Sequence, residues 1–465
     1  MGAGHSHDGR GAGRSTPRTR ALLAAALAPF VVATLVGLVL FWPDASTGAA
    51  LQGTAPDDLV RAVVVSADRG PCQGTPEEAG IACNQVVVRL LEPAREVTRL
   101  RCPSPDATGR CPVAEVREVL PGLPAGEVAA LPEQSEVGAA ARLDVGDEVV
   151  LGYYAGAGEG FELSFADLER RRPLAVLAGI FVLAVVALGR WKGLRAIIGL
   201  GLSLLVLTVF VLPAVLQGAD PLAVALVGSS AIALTALYLA HGLSARTTTA
   251  VLGTLLSLGL VGVLSAVFVD LARFTGLADE EATFLQVFAG QVDLRGLLLG
   301  GFVIGALGVL DDVTVTQVSA VWELKHANPD SGFRDLYGAA VRIGRDHIAS
   351  TVNTLVLAYA GASLPLLLLF TQADQGLADV VNGEAVAIEI VRTLCGSIGL
   401  VAAVPFTTAV AALVVGRQPG APARPATTGG EDQGDGVGGP DGRDEQASTD
   451  PVVRRSRREE RFWRS

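Results

Sequence analysis

Charge-free runs of about the length of a lipid bilayer recur along this chain. Ala21 to Phe41 carries no ionisable side chain, and comparable stretches follow at about 174–189, 196–213, 221–241, 248–269, 296–322, 348–370 and 393–415. A helix rises 1.5 Å per residue, so about 20 apolar residues cross the ~30 Å hydrocarbon core. Runs of this kind do not fit a single water-soluble core. They predict a mainly α fold, a polytopic membrane helix bundle with about eight transmembrane helices, and make the lipid bilayer the first partner.

The segments between the runs define the organisation. Residues 1–20 are Gly-rich and polar with Arg10, Arg14, Arg18 and Arg20, and read as a disordered cytoplasmic tail. His5 and His7 lack further ligands nearby, so no metal site is assigned. The basic cluster ahead of 21–41 places the N-terminus inside and makes that run a retained transmembrane anchor helix. Residues 43–172 alternate short apolar runs (Leu59-Val60, Ala62 to Val65, Val86 to Val88, Val149 to Tyr154) with Gly, Pro and Asp breaks. That pattern predicts a small extracytoplasmic β domain inserted after the first helix, pictured as barrel-like.

Cys72, Cys83, Cys102 and Cys111 fall in this segment, at spacings of 11, 19 and 9 without a C-x2-C knuckle, which favours two disulfides in an oxidising space over zinc. Three pairings are open. Residues 173–415 form a seven-helix membrane domain, and 416–465, rich in Gly, Pro, Asp and Arg, a second disordered cytoplasmic tail.

Charge fixes the expected orientation. Connections expected inside carry Arg190, Lys192 and Arg195, then Arg246, then Lys325, Arg334, Arg342 and Arg345; those expected outside are mainly acidic, with Asp220, Asp270, Asp279, Glu280, Glu281, Asp293, Asp374, Asp379 and Glu384. Arg170 to Arg172, Arg273 and Arg295 are exceptions. Both termini are then cytoplasmic. The net charge of -11 excludes nucleic acid as a partner.

Ionisable groups inside a membrane cost ~2.5 to 3.5 kcal/mol on insertion scales and so mark candidate sites. Asp311 and Asp312 are the only charges between Gly296 and Trp322. At 100° per residue, Gly301, Gly305, Gly308, Asp312, Thr316, Ser319 and Glu323 fall within about 40° of one helix face. Its first half is a small-residue strip and its second half is polar, suited to a cavity. Asp311 points about 100° away, toward a different partner such as Thr314 or toward water.

In the next span Asp346, Ser350, Asn353 and Thr354 offer a facing surface, and Asp346 also suits a helix N-terminus. GFRDLYGAAVRIGRD reads as an amphipathic helix on the inner membrane surface. The last span places Ser397, Thr407 and Thr408 around Pro405, with Cys395 as a packing residue. The candidate substrate- or ion-binding set is Asp311, Asp312, Thr316, Ser319, Asn353, Thr354 and Asp346, with no catalytic residue, no metal and no cofactor.

Three segments, GALGVLDDVTVTQVSAVWEL (305–324), GRDHIASTVNTLVLAYAGASLPLLLL (344–369) and RTLCGSIGLVAAVPFT (392–407), resemble the YibE/F family of bacterial multi-pass membrane proteins. The resemblance covers about 173–415 and implies an inner (cell) membrane location. In the family pattern Asp312 matches the membrane aspartate and Asn353, Thr354 and Leu355 match N-T-L, whereas Asp311 stands where relatives carry an apolar residue. The family has no established biochemical activity, so the resemblance implies an architecture and leaves the substrate open.

The leading expectation is a non-enzymatic transporter or permease for an unknown small solute or ion, with Asp312, Thr316, Ser319 and Asn353 as its polar site. The alternative is a membrane anchor whose extracytoplasmic domain binds a protein partner. An aspartyl hydrolase using Asp312 and Asp346 is a third reading, weakened by the lack of a G-x-G-D pattern. No GxxxxGK[ST] sequence offers a nucleotide site.

Overall fold

A computed structural model describes residues 17–44, 56–71, 82–101, 116–120, 122–131, 134–135, 143–155, 162–278, 280–288, 290, 292–372 and 376–416. The tails expected at 1–16 and 417–465 lie outside these residues. So do Cys72, Cys102 and Cys111, and with them the disulfide pairing.

The chain opens with helix α1 (Pro17–Leu40) and then enters a β region. β1 (Asp58–Pro71), β2 (Ala82–Leu90), β5 (Val128–Ala130), β6 (Gln134–Ser135), β7 (Glu148–Tyr153) and β8 (Leu163–Leu168) form one antiparallel sheet in the order β5-β2-β1-β7-β8, with β6 also on β2. β3 (Val97–Arg101) and β4 (Val116–Leu120) pair separately. Side chains alternate across a strand, so every second residue reaches one face. Val60, Ala62 and Val64 of β1, Val86, Val88 and Leu90 of β2, and Val149, Leu151 and Tyr153 of β7 accordingly make one buried core. Arg61 adds an ion pair and hydrogen bonds to Glu92, which hold that carboxyl below its usual range. The expected strands are present, but among the described residues the sheet is open rather than a closed barrel, with β8 pairing only to β7.

Six helical segments are long and apolar enough to cross a membrane: Pro17–Leu40, Arg171–Leu216, Pro221–His241, Ala245–Leu271, Leu294–Ala327 and Glu384–Gly416. The second has 46 residues, about 69 Å if straight, more than twice the hydrocarbon thickness. It is not straight. Its first part, α2 (Arg171–Val206), breaks at Arg190 (φ 49°, ψ -129°), and a Cβ on Gly193 would stand 2.2 Å from the Val185 carbonyl oxygen. Only glycine permits that approach, so the chain doubles back here, between the expected spans 174–189 and 196–213. A π-helical turn (Leu207–Val211) then leads into α3 (Leu212–Leu216), beside Pro213, which cannot donate to the preceding turn.

α4 (Pro221–His241) starts on an Asp220 cap, whose carboxylate accepts from the Ala223 amide at 2.7 Å. It is followed by α5 (Ala245–Leu271), α6 (Glu280–Phe288), α7 (Leu294–Ala327), α8 (Phe333–Ala362), α9 (Leu364–Gln372), α10 (Leu377–Asn382) and α11 (Glu384–Gly416). α5, α7 and α11 pack on one another as the centre of the bundle; α4 packs on α7, α2 on α4, and α8 on α11 and α7.

Two expectations change in the α8 region. The segment expected to lie on the membrane surface is continuous with the following span as one 30-residue helix, and its Leu336, Ala340 and Gly344 are buried. Leu336 and Ala340 pack with Val318, Val321, Ala411 and Ala412, so the apolar stripe covers protein. The expected span 348–370 is interrupted at Ser363, just before Leu364-Pro365, and is not one of the six apolar segments.

Contacts sort the connections into two ends. At one, Gln217 exchanges hydrogen bonds with the Asp44 backbone (3.0 and 2.9 Å), Arg295 pairs with Asp270 (2.8 Å), and Glu384 accepts from the Thr275 and Gly276 amides (2.6 and 2.9 Å). At the other, Lys192, His241, Arg246 and Ser319 share one cavity, and Arg246 pairs with Glu323 at 3.7 Å. The first set joins connections expected outside and the second joins connections expected inside.

Candidate functional site

The middle of α7 is where chemistry-bearing side chains meet the bundle's interior. Asp311 is the inward member of the aspartate pair, whereas Asp312 is exposed. Among the described residues the Asp311 Oδ1 is buried with no hydrogen-bond partner of its own, and the Thr254 hydroxyl of α5 is the side-chain hydrogen-bonding group beside its carboxyl. Thr314 donates to the Asp311 carbonyl oxygen (3.1 Å) and shares a buried 2.7 Å hydrogen bond with Thr254. The Asp311 carboxyl group therefore meets Thr254, whereas Thr314 reaches only the Asp311 main-chain carbonyl.

One turn further along α7, Gln317 continues the polar seam. Its Nε2 donates to the Ala340 carbonyl oxygen of α8 (2.8 Å) and to Thr408 Oγ1 of α11 (2.7 Å), and Thr408 in turn donates to the Val404 carbonyl oxygen (2.6 Å). Close backbone approach makes room for this. A Cβ on Gly344 would lie 2.8 Å from Gln317 Oε1, and one on Gly253 would lie 2.2 Å from Thr407 Oγ1. Among the described residues the hydroxyls of Ser257 and Thr407 are buried without partners, like Asp311 Oδ1. An unsatisfied buried oxygen costs about 1–3 kcal/mol, and of these Asp311 Oδ1 is the one that can take up charge, which makes Asp311 the candidate site.

The remaining expected site residues are placed elsewhere. Gly301, Gly305, Gly308, Asp312, Thr316 and Glu323 form the exposed side of α7, and nothing lies within 4 Å of a Cβ built on Gly301 or Gly308. A Cβ would lie 2.8 Å from Pro221 Cδ on Gly296, 3.1 Å from the Pro221 carbonyl oxygen on Gly300 and 3.1 Å from the Tyr359 hydroxyl on Gly305, so these glycines of α7 pack closely. Asp346, Ser350, Asn353 and Thr354 are exposed on α8, with the Thr354 hydroxyl donating to the Ser350 carbonyl oxygen at 3.0 Å. Asp312 and Asp346 are both exposed, and no hydrogen bond joins Asp312 to Asn353 among the described residues. Ser319 is half-buried and lines the basic cavity.

Sequence reasoning missed Thr254 and Gln317. Gln317 carried a signal, since an amide inside an apolar span needs a partner, and Thr254 and Ser257 lie three residues apart on one face of α5. Thr407 and Thr408 were singled out and are fully buried, and Cys395 is buried as expected. Arg392 pairs with Glu389 at 2.7 Å within α11, near α8 and α9, and stacks 5.2 Å over Phe302.

No curated protein and no solved structure gives a match to the chain. The comparison with protein families matches residues 177–417, described as YibE/F-like protein, and this stretch starts within α2 and ends just past α11, with the whole polar seam inside it. The match covers more than half of the 465 residues and bears out the resemblance read from the three motifs: the chain belongs to the YibE/F-like family.

Proposed function

We propose that this protein is a multi-pass inner-membrane transporter or permease, not an enzyme, in which Asp311 is the intramembrane group that takes up and releases a proton or small cation. The observation that carries this reading is the unpartnered, buried Asp311 Oδ1 beside the Thr254 hydroxyl at the α5–α7 contact. Depth along α7 supports it. The Arg295–Asp270 and Arg246–Glu323 pairs mark levels 16 residues before and 12 residues after Asp311, about 24 Å and 18 Å along the helix axis. A carboxylate at that level with one buried oxygen unpartnered is costly unless neutralised, which couples it to whichever side offers a proton or cation.

The orientation belongs to the same proposal: the end holding Lys192, Arg246 and Lys325 is cytoplasmic by the positive-inside rule, as are both termini, and the β domain is extracytoplasmic. Two helices from the Arg171–Leu216 segment and one from α8 and α9 bring the bundle to eight spans.

The test is proton flux in proteoliposomes holding the full chain, read with an enclosed pH dye after a potassium diffusion potential is imposed. Asp311→Asn is expected to lower the flux by at least tenfold, equivalent to ~1.4 kcal/mol, while Asp312→Asn stays within about twofold of wild type. Flux in Asp311→Asn equal to wild type, or no flux in the wild type, would sink the reading.

A further inference from the structure

The cavity at the basic end of the bundle is separate from the Asp311 seam. It has a volume of about 290 Å³ and is bounded by the turn after Arg190, the α4–α5 junction and the last third of α7. Lys192, His241 and Arg246 line it together with the hydroxyl-bearing Ser244, Thr247 and Ser319, and no acidic side chain does. Lys192 has no ion-pair partner among the described residues, and Arg246 meets Glu323 only across 3.7 Å of exposed surface.

The local backbone adds to the charge. α5 starts at this cavity, and the Ser244 side chain accepts from the Thr247 amide at 3.1 Å. That leaves the Ala245 and Arg246 amides, which have no intrahelical acceptor in a first turn. An acidic residue in the first turn would ordinarily answer the positive end of a helix, but α5 has none and carries Arg246 there instead. Basic residues on a cytoplasmic connection serve topology wherever they fall. Gathering three of them from two separate connections around one half-enclosed space, with hydroxyls between them, is a different arrangement.

We propose that this cavity binds the phosphate group of an anionic ligand. Lys192 and Arg246 supply the charge, His241 a third nitrogen, and the first turn of α5 with Ser244 the hydrogen bonds, while the Ser319 hydroxyl donates to the Val315 carbonyl oxygen at 2.7 Å and only borders the space. Its volume suits a single phosphate-bearing head rather than a large organic molecule. A phospholipid headgroup and a free phosphate share this chemistry, and basic pockets between helices near the cytoplasmic surface suit either.

The full chain in nanodiscs distinguishes them. Inorganic phosphate is titrated calorimetrically into protein in phosphatidylcholine discs, and phosphatidic acid is added to phosphatidylcholine in a second series, with bound lipid counted by native mass spectrometry. Binding in the first series alone identifies a free anion, and binding in the second alone identifies a headgroup. Lys192→Gln removes an exposed, unpaired side chain, so folding is preserved; it is expected to weaken binding about tenfold, the loss of one charge-assisted contact. Arg246→Gln is expected to act similarly, Arg246→Lys to retain most binding, and Arg334→Gln, an exposed basic change outside the cavity, to bind as wild type. The proposal is overturned if neither probe binds, if Lys192→Gln binds as wild type, or if Arg334→Gln weakens binding as much as Lys192→Gln.

Discussion

Asp311 and Asp312 share a peptide bond and have opposite surroundings. One reaches the contact between α5 and α7, where hydroxyls and an amide continue inward; the other stands on the exposed side of α7. The same one-residue offset separates Gly300, packed on Pro221 and Ala225 of α4, from Gly301, which faces open space. A 100° step per residue is enough to divide α7 into a packed side and an open side. What the contrast teaches is that a polar stripe and a glycine stripe on a membrane helix do not by themselves identify the interior.

The sharpest way to break this contrast is to crowd the packed side. A Cβ on Gly344 of α8 would fall 2.5 Å from Val404 Cγ1 and 2.8 Å from Gln317 Oε1, so it meets α11 and α7 together. Gly344→Leu is expected to destabilise the detergent-solubilised protein by ~3 kcal/mol or to prevent folding, read as a fall in thermal midpoint or loss of the monodisperse peak. Gln317→Leu is a gentler probe of the same contact. It removes the bonds to Ala340 and Thr408 while keeping similar bulk, and since Thr408 still donates to Val404, a loss of about 1 kcal/mol is expected. Unchanged stability in both would mean that the α7–α8–α11 junction does not hold the bundle together.

The division into helices was legible because it depends on apolar length, which the sequence carries directly. The alternating Val and Leu residues of β1, β2 and β7 were legible for the same reason. The break at Arg190 was visible as a basic cluster between two runs, although the tight return past Gly193 was not. The facing of α7 was read the other way round. Lipid and a helix-bundle interior are almost equally apolar, so Val303, Leu307 and Leu310 on the packed side look no different from lipid-facing residues. The polar face was assigned inward because polar groups avoid hydrocarbon, yet the interior accepts Asp311, Thr314 and Gln317 through partners on α5, α8 and α11. Those partners lie 23 to 91 residues away from the α7 residues they meet, beyond the reach of any local pattern. In α8, the stripe of Leu336, Ala340 and Gly344 was recognised as amphipathic, but periodicity does not distinguish a protein surface from a lipid one.

The smallest expected effect tests the offset most directly, because it changes only one methyl group on either of two adjacent residues. Alanine is favoured over glycine in a helix interior by about 1 kcal/mol. Gly301→Ala adds a methyl with nothing within 4 Å, so the protein is expected to gain ~0.5 to 1 kcal/mol in thermal or denaturant unfolding. At Gly300 the same methyl would stand 3.1 Å from the Pro221 carbonyl oxygen and 3.2 Å from Ala225 Cβ, and the crowding offsets that gain. Gly300→Ala is therefore expected to be less stable than Gly301→Ala. The reverse order would mean that another helix covers the Gly301 side, since only a close neighbour there could turn an added methyl from a gain into a loss.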